Sequence, residues 1–167
     1  MSIQLFFLND IAIKSSVSLF GIPIFTPIIY PLIFINLPIR TPIWVELIIA
    51  FVIGFIVDMF SNTSGIHASA SLLLAFSRPR IISLFFQYNP KEKQNIVPNL
   101  YQMGFMSYIL YAGILLLIHH FWYYLIQIWS FRNTPIILLK TISSLLLSLL
   151  LVVIFQLLFS KKESIRK

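Results

Sequence analysis

Long apolar runs separated by brief polar breaks dominate this chain. A helix needs about 20 residues, at roughly 1.5 Å each, to cross the ~30 Å hydrocarbon of a bilayer. Five runs are candidates. Ile22 to Leu37 carries Pro23, Pro27 and Pro31, which predicts a short, kinked span. Ile43 to Phe60 follows a Thr41-Pro42 start signal and predicts an uninterrupted one. The third run begins near Ile66 and is fully apolar only to Phe76, where Arg78-Pro79-Arg80 breaks it. A dozen apolar residues are too few to cross alone. The pattern therefore predicts an incomplete span, then a surface-lying helix over Ile81 to Phe86. The loop before it, Ser61 to Gly65, is expected to dip into protein-shielded membrane. Tyr88 to Asn99, with Pro90, Lys91, Glu92 and Lys93, reads as a solvated connection. Tyr101 to Trp129 predicts a long fourth span whose Trp122, Tyr123, Tyr124 and Trp129 form an interfacial aromatic belt. A turn over Phe131 to Pro135 leads to a Leu-rich fifth span, Ile136 to Phe159. Its Ser143, Ser144 and Ser148 are placed to bond between helices or back to their own turn.

Composition sharpens this picture. Fifty-nine per cent of the 167 residues are hydrophobic and 10 % are charged. A soluble domain carries about 25 % charged residues, so lipid is the solvent that tolerates such a surface. The expected fold is an all-α polytopic membrane bundle of about five transmembrane helices. It forms one domain, with a bundle over residues 22–159, an extracytoplasmic segment or stump of a first helix over 1–21, and a basic cytoplasmic tail over 160–167.

The net charge of +7 comes from twelve Lys and Arg against five Asp and Glu. With the carboxyl end in the cytoplasm and the spans alternating, nine basic residues fall inside. Only Lys14, Arg132 and Lys140 fall outside, which fits the positive-inside rule. No basic patch is interleaved with stacking aromatics, which argues against nucleic acid as a partner. The absence of cysteine excludes disulfides and thiolate metal sites.

Candidate chemistry concentrates between Gly54 and Ala68. Gly54 and Asp58 are four apart and share a helix face, and a glycine there lets another backbone approach. Gly65 suits a turn with positive φ. His67 then starts the next helix beside Asp58. An ionisable residue at membrane depth is a functional candidate by default, so an Asp58–His67 proton relay is one reading. The other is a lock, in which Asp58 accepts hydrogen bonds from amides at the next helix's start. The lock is favoured, because Glu46 is the only other acid in the spans and reads as a snorkelling interfacial charge. The adjacent His119 and His120 point about 100° apart and do not face one metal together. No phosphate loop, Walker lysine or nucleophile triad is present, so no enzyme, cofactor or metal is expected.

The order Gly54-x-x-x-Asp58, a short polar loop, then Gly65-x-His67-Ala68 opening a small-residue helix resembles the rod shape-determining MreD family. Ala75-Phe76-Ser77-Arg78-Pro79 and Ile118-His119-His120 extend the resemblance. It implies a six-helix arrangement in complete members, similar to the substrate-binding subunits of energy-coupling-factor transporters. It also implies a non-enzymatic scaffold of the cell-elongation complex (elongasome) in the bacterial inner membrane, supporting peptidoglycan synthesis and cell shape. The implied partners are the single-span protein MreC, and indirectly the actin-like MreB and RodA with its transpeptidase, besides membrane lipids. Ala68 to Ser71 would offer a close-contact face to that partner, and Arg78 and Arg80 would meet acidic lipids or cytoplasmic proteins. The alternative from another class is a substrate-binding subunit of a vitamin-type transporter.

Overall fold

A computed structural model describes residues 30–85, 97–128 and 134–159, with the backbone of 18–19 and 22–23. Apart from an antiparallel pairing of Ser18–Leu19 with Ile22–Pro23, its elements are helical. They are α1 (Pro31–Ile35), α2 (Ile43–Ser61), α3 (Ile66–Phe85), α4 (Leu100–Met103), α5 (Phe105–Ile128) and α6 (Thr134–Phe159). Three of them, α2, α5 and α6, are long and apolar enough to cross a membrane. The chain is an all-helical bundle of membrane character. The expected N-terminal segment, the first part of the first span, most of the solvated connection, the turn before α6 and the basic tail lie outside the described residues.

The four long helices pack in chain order, α2 on α3, α3 on α5 and α5 on α6. Pairings from opposite ends show each contact to be antiparallel, that of α3 with α5 by His67 meeting Tyr123 while Arg78 meets Tyr111. Asp58 meets His67 while Glu46 meets Arg78. Tyr124 meets Ser144 while His120 meets Ser148. The short α1 wedges against α3 and α5, with Phe34 and Ile35 fully buried. Pro31 starts it without losing a needed N–H, and Asn36 closes it, its backbone N–H donating to Leu32 O.

Burial is distributed as lipid requires. Trp44 is 63 % exposed, Leu146 64 % and Leu84 77 %, while Glu46, Arg78, His119, His120 and Ser144 are enclosed. Water would penalise that pattern, because large apolar side chains would face it in continuous stripes. Hydrocarbon favours it, because polar groups must then find partners inside the protein.

Three expectations about the helices change. In the first run, expected as a kinked span from Ile22 to Leu37, Ile22–Pro23 pairs as a strand and the described helix is Pro31–Ile35, five residues and too short to cross a membrane. The third run is not interrupted at Arg78-Pro79-Arg80: α3 is one helix of 20 residues, with Pro79 inside it. The charge that breaks the apolar pattern is tolerated because Arg78 turns into the bundle, and Arg80 lies 4.7 Å over the Phe76 ring. No separate surface-lying helix forms within its described part. The fourth run, by contrast, is divided. Asn99 caps α4 by accepting from the Gln102 N–H at 2.8 Å, and Gly104, at φ 80°, takes the backbone out of the helix before α5 starts.

Candidate functional site

The joint between α2 and α3 is built on close backbone approach. Glu46, Ala50, Gly54 and Asp58 recur every four residues on α2, and all face inward. A Cβ on Gly54 would lie 2.5 Å from Ala68 Cα and 2.9 Å from His67 O, so only glycine admits α3 at this distance. One turn later, Asp58 receives the free amides that start α3. Its Oδ1 accepts from the His67 N–H at 3.0 Å and from the Thr63 hydroxyl, and its Oδ2 accepts from the Ala68 N–H at 2.9 Å. A carboxylate at a helix N-terminus satisfies orphan donors and complements the dipole. The loop is shaped to bring it there: Asn62 takes a left-handed conformation at φ 53° and Gly65 stands at φ 81°.

His67 sends its ring elsewhere. The ring Nδ1 lies 3.2 Å from the Tyr30 hydroxyl, which also lies 2.6 Å from His119 Nε2. Tyr30 thus bridges α3 and α5 just before α1. His119 Nδ1 is enclosed with no partner among the described residues. A bare acceptor nitrogen costs less there than a buried N–H, so Nε2 carries the proton and donates to Tyr30. Tyr30 then donates to His67 Nδ1. Asp58 and the His67 ring do not bond directly, because the ring turns to Tyr30. His120 turns away from His119, donating from Nδ1 to Leu116 O at 2.7 Å while Nε2 accepts from Ser148 at 3.2 Å.

A second polar cluster sits at the opposite end of the α2–α3 pair. Arg78 Nη1 donates to Glu46, Nη2 to Leu37 O, and Nε to the Tyr111 hydroxyl at 3.1 Å. Tyr111 in turn donates to Ile35 O at 3.1 Å. Arg78 and Tyr111 therefore take up carbonyls that α1 leaves free at its end, and the cation complements that end's negative dipole. Asn36 adds contacts with Tyr108 and Gln156. The short interrupted segment is stitched to α3, α5 and α6 by side chains, as irregular backbone at membrane depth requires.

Several expectations are corrected by these positions. Glu46 is not a snorkelling surface charge and Arg78 does not reach lipid or a cytoplasmic protein; each is 1 % exposed and they pair with one another. Ala68 and Ala70 are buried inside the bundle rather than on a free face, because Ala68 is the surface that Gly54 receives. Tyr123 and Tyr124 are buried and do not belong to an outer aromatic belt; Tyr124 meets Ser144 at 2.6 Å. Trp129 lies outside the described residues.

Tyr30, Tyr111 and the Glu46–Arg78 pair were not picked out as a site by motif. A signal for the pair does exist. In an antiparallel hairpin, facing residue numbers have a nearly constant sum. Asp58 with His67 and Glu46 with Arg78 agree in this sum to within one residue. The register of the first contact therefore places the second.

Among the described residues no group of three His, Cys, Asp or Glu converges as a metal site. What the arrangement can do chemically is hold helices together through polar joints at both ends of α3, with one Glu46 oxygen and His119 Nδ1 left without a described partner. No family model, no curated protein and no solved structure matches this chain.

Proposed function

We propose that this chain is a non-enzymatic scaffold of the bacterial cell-elongation machinery, a membrane protein of the MreD kind that supports peptidoglycan synthesis through a single-span MreC-like partner. The observation that carries the proposal is the Gly54–Asp58 / Gly65–His67–Ala68 joint. The residues on which the family resemblance rests do one structural job together, with Gly54 admitting the backbone that Asp58 then caps. The conspicuous polar groups of the interior (Asp58, Arg78, Tyr111, Ser144) hold one element to another. Such joints are what a scaffold of packed helices needs. The basic residues place the carboxyl end in the cytoplasm in this reading.

Because Ala68 and Ala70 are used inside the bundle, the partner's span meets an outward apolar face instead. The test is co-purification in mild detergent with the MreC-like protein of the same genome. The partner is expected to be recovered with the tagged wild-type chain at near-equal stoichiometry. A folded, monodisperse wild type that recovers none contradicts the proposal.

A further inference from the structure

Lys140 is a cation in an unusual place. It lies in α6, six residues past Thr134, and is only 9 % exposed. Among the described residues no carboxylate pairs with it, and its ammonium lies over the Tyr124 ring, 5.7 Å from nitrogen to centroid. Tyr124 is itself buried, beside Ile137. One aromatic face leaves most of an ammonium's donors open, and an anionic group beside it would take them up.

The helix geometry says where that partner lies. The 26 residues of α6 span roughly 39 Å, against ~30 Å of hydrocarbon. Lys140 sits six to seven residues from the helix midpoint, roughly 10 Å along the axis. A centred, upright helix therefore holds its Cα roughly 5 Å inside the boundary, and a lysine stem snorkels about that far. The ammonium reaches the edge of the hydrocarbon, where the headgroup layer begins. Its ammonium is held over the Tyr124 ring, as that of a freely mobile surface lysine would not be.

We propose that Lys140 and the Tyr124 ring form a headgroup site for one anionic phospholipid at the Thr134 end of the bundle. The lysine ammonium binds the lipid phosphate, and the acyl chains lie along the half-buried Leu147 and the exposed Leu150, which follow Lys140 on its side of α6. The site depends only on membrane immersion and stands apart from the scaffold reading.

The experiment is native mass spectrometry of the full chain released from micelles containing equal phosphatidylglycerol and phosphatidylcholine. Wild type is expected to retain one phosphatidylglycerol at least fivefold over phosphatidylcholine. Lys140→Gln is expected to abolish that preference, and Lys140→Arg to keep most of it. Lys140→Gln must melt within a few degrees of wild type, and Lys140→Met serves as a second neutral variant if it does not. No preference in the wild type, or an equal preference in both neutral variants, overturns the proposal. So does displacement of the lipid by millimolar inorganic phosphate, which would make this a site for free phosphate.

Discussion

Replacing Gly54 by alanine sets a helix-forming residue against a backbone. Its Cβ would meet Ala68 Cα at 2.5 Å, Ala68 N at 2.8 Å and His67 O at 2.9 Å. All three atoms belong to the main chain, so no side chain can rotate away, and the start of α3 must withdraw by roughly 1 Å to reach ordinary contact. The same few residues carry the bonds to Asp58, now at 2.9 and 3.0 Å. A withdrawal of that size takes both beyond useful hydrogen-bond length. Overpacking costs about 1–3 kcal/mol, and weakening bonds to a charged group costs about 1.5–3 kcal/mol each when fully lost. Alanine's better helix propensity returns about 1 kcal/mol. The expected net destabilisation is about 2–4 kcal/mol. Reversible unfolding by SDS in mixed micelles, followed by circular dichroism, measures it. The mechanism has a sharper signature in a double-mutant cycle. Asp58→Asn alone is expected to cost about 2–3 kcal/mol. In the Gly54→Ala background it is expected to cost less than half of that, because the bonds it removes are already stretched. A Gly54→Ala protein within about 0.5 kcal/mol of wild type refutes the close-approach argument, and full additivity refutes the coupling to Asp58.

Other perturbations test the remaining joints by the same unfolding assay. Arg78→Met strands the buried Glu46 charge and leaves Leu37 O unbonded, an expected loss of about 3–5 kcal/mol, and adding Glu46→Leu is expected to restore part of it. Tyr30→Phe removes the bridge between His67 and His119 at an expected cost of about 1–3 kcal/mol; an unchanged midpoint would show the bridge to be idle. Gly65→Ala meets no atom within 4 Å, so its expected cost of about 1 kcal/mol is wholly the positive φ of 81°. Asn62→Gly, at φ 53°, is expected to be neutral or slightly stabilising.

The apolar patterning made α2 and α6 legible, because uninterrupted runs of this length have few alternatives to spanning helices. Asp58 was legible as well, since a carboxylate ending an apolar helix must find donors, and the nearest are the amides that open the next one. The course of α3 was not. Its polar and charged residues lower its apolarity, and only tertiary placement between α2 and α5 shows that they point inward. Arg78 illustrates the difficulty: one residue reads as interfacial when considered alone and as a buried cap for α1 once Leu37, Tyr111 and Glu46 surround it. The break at Gly104 was hidden for another reason. Apolar residues on both sides continue the pattern, so only the backbone angle reveals the stop.

The central claim is that oil bathes the outward faces while the polar groups point in. The chain has no cysteine, so single cysteines can be placed without background. Nitroxide labels at the exposed Phe51 and Leu146, in reconstituted vesicles, report their surroundings through relaxation by oxygen and by a water-soluble nickel chelate. The account predicts strong oxygen relaxation and almost none from the chelate at both positions. Strong relaxation by the chelate at both would mean that these faces meet water, and would contradict it.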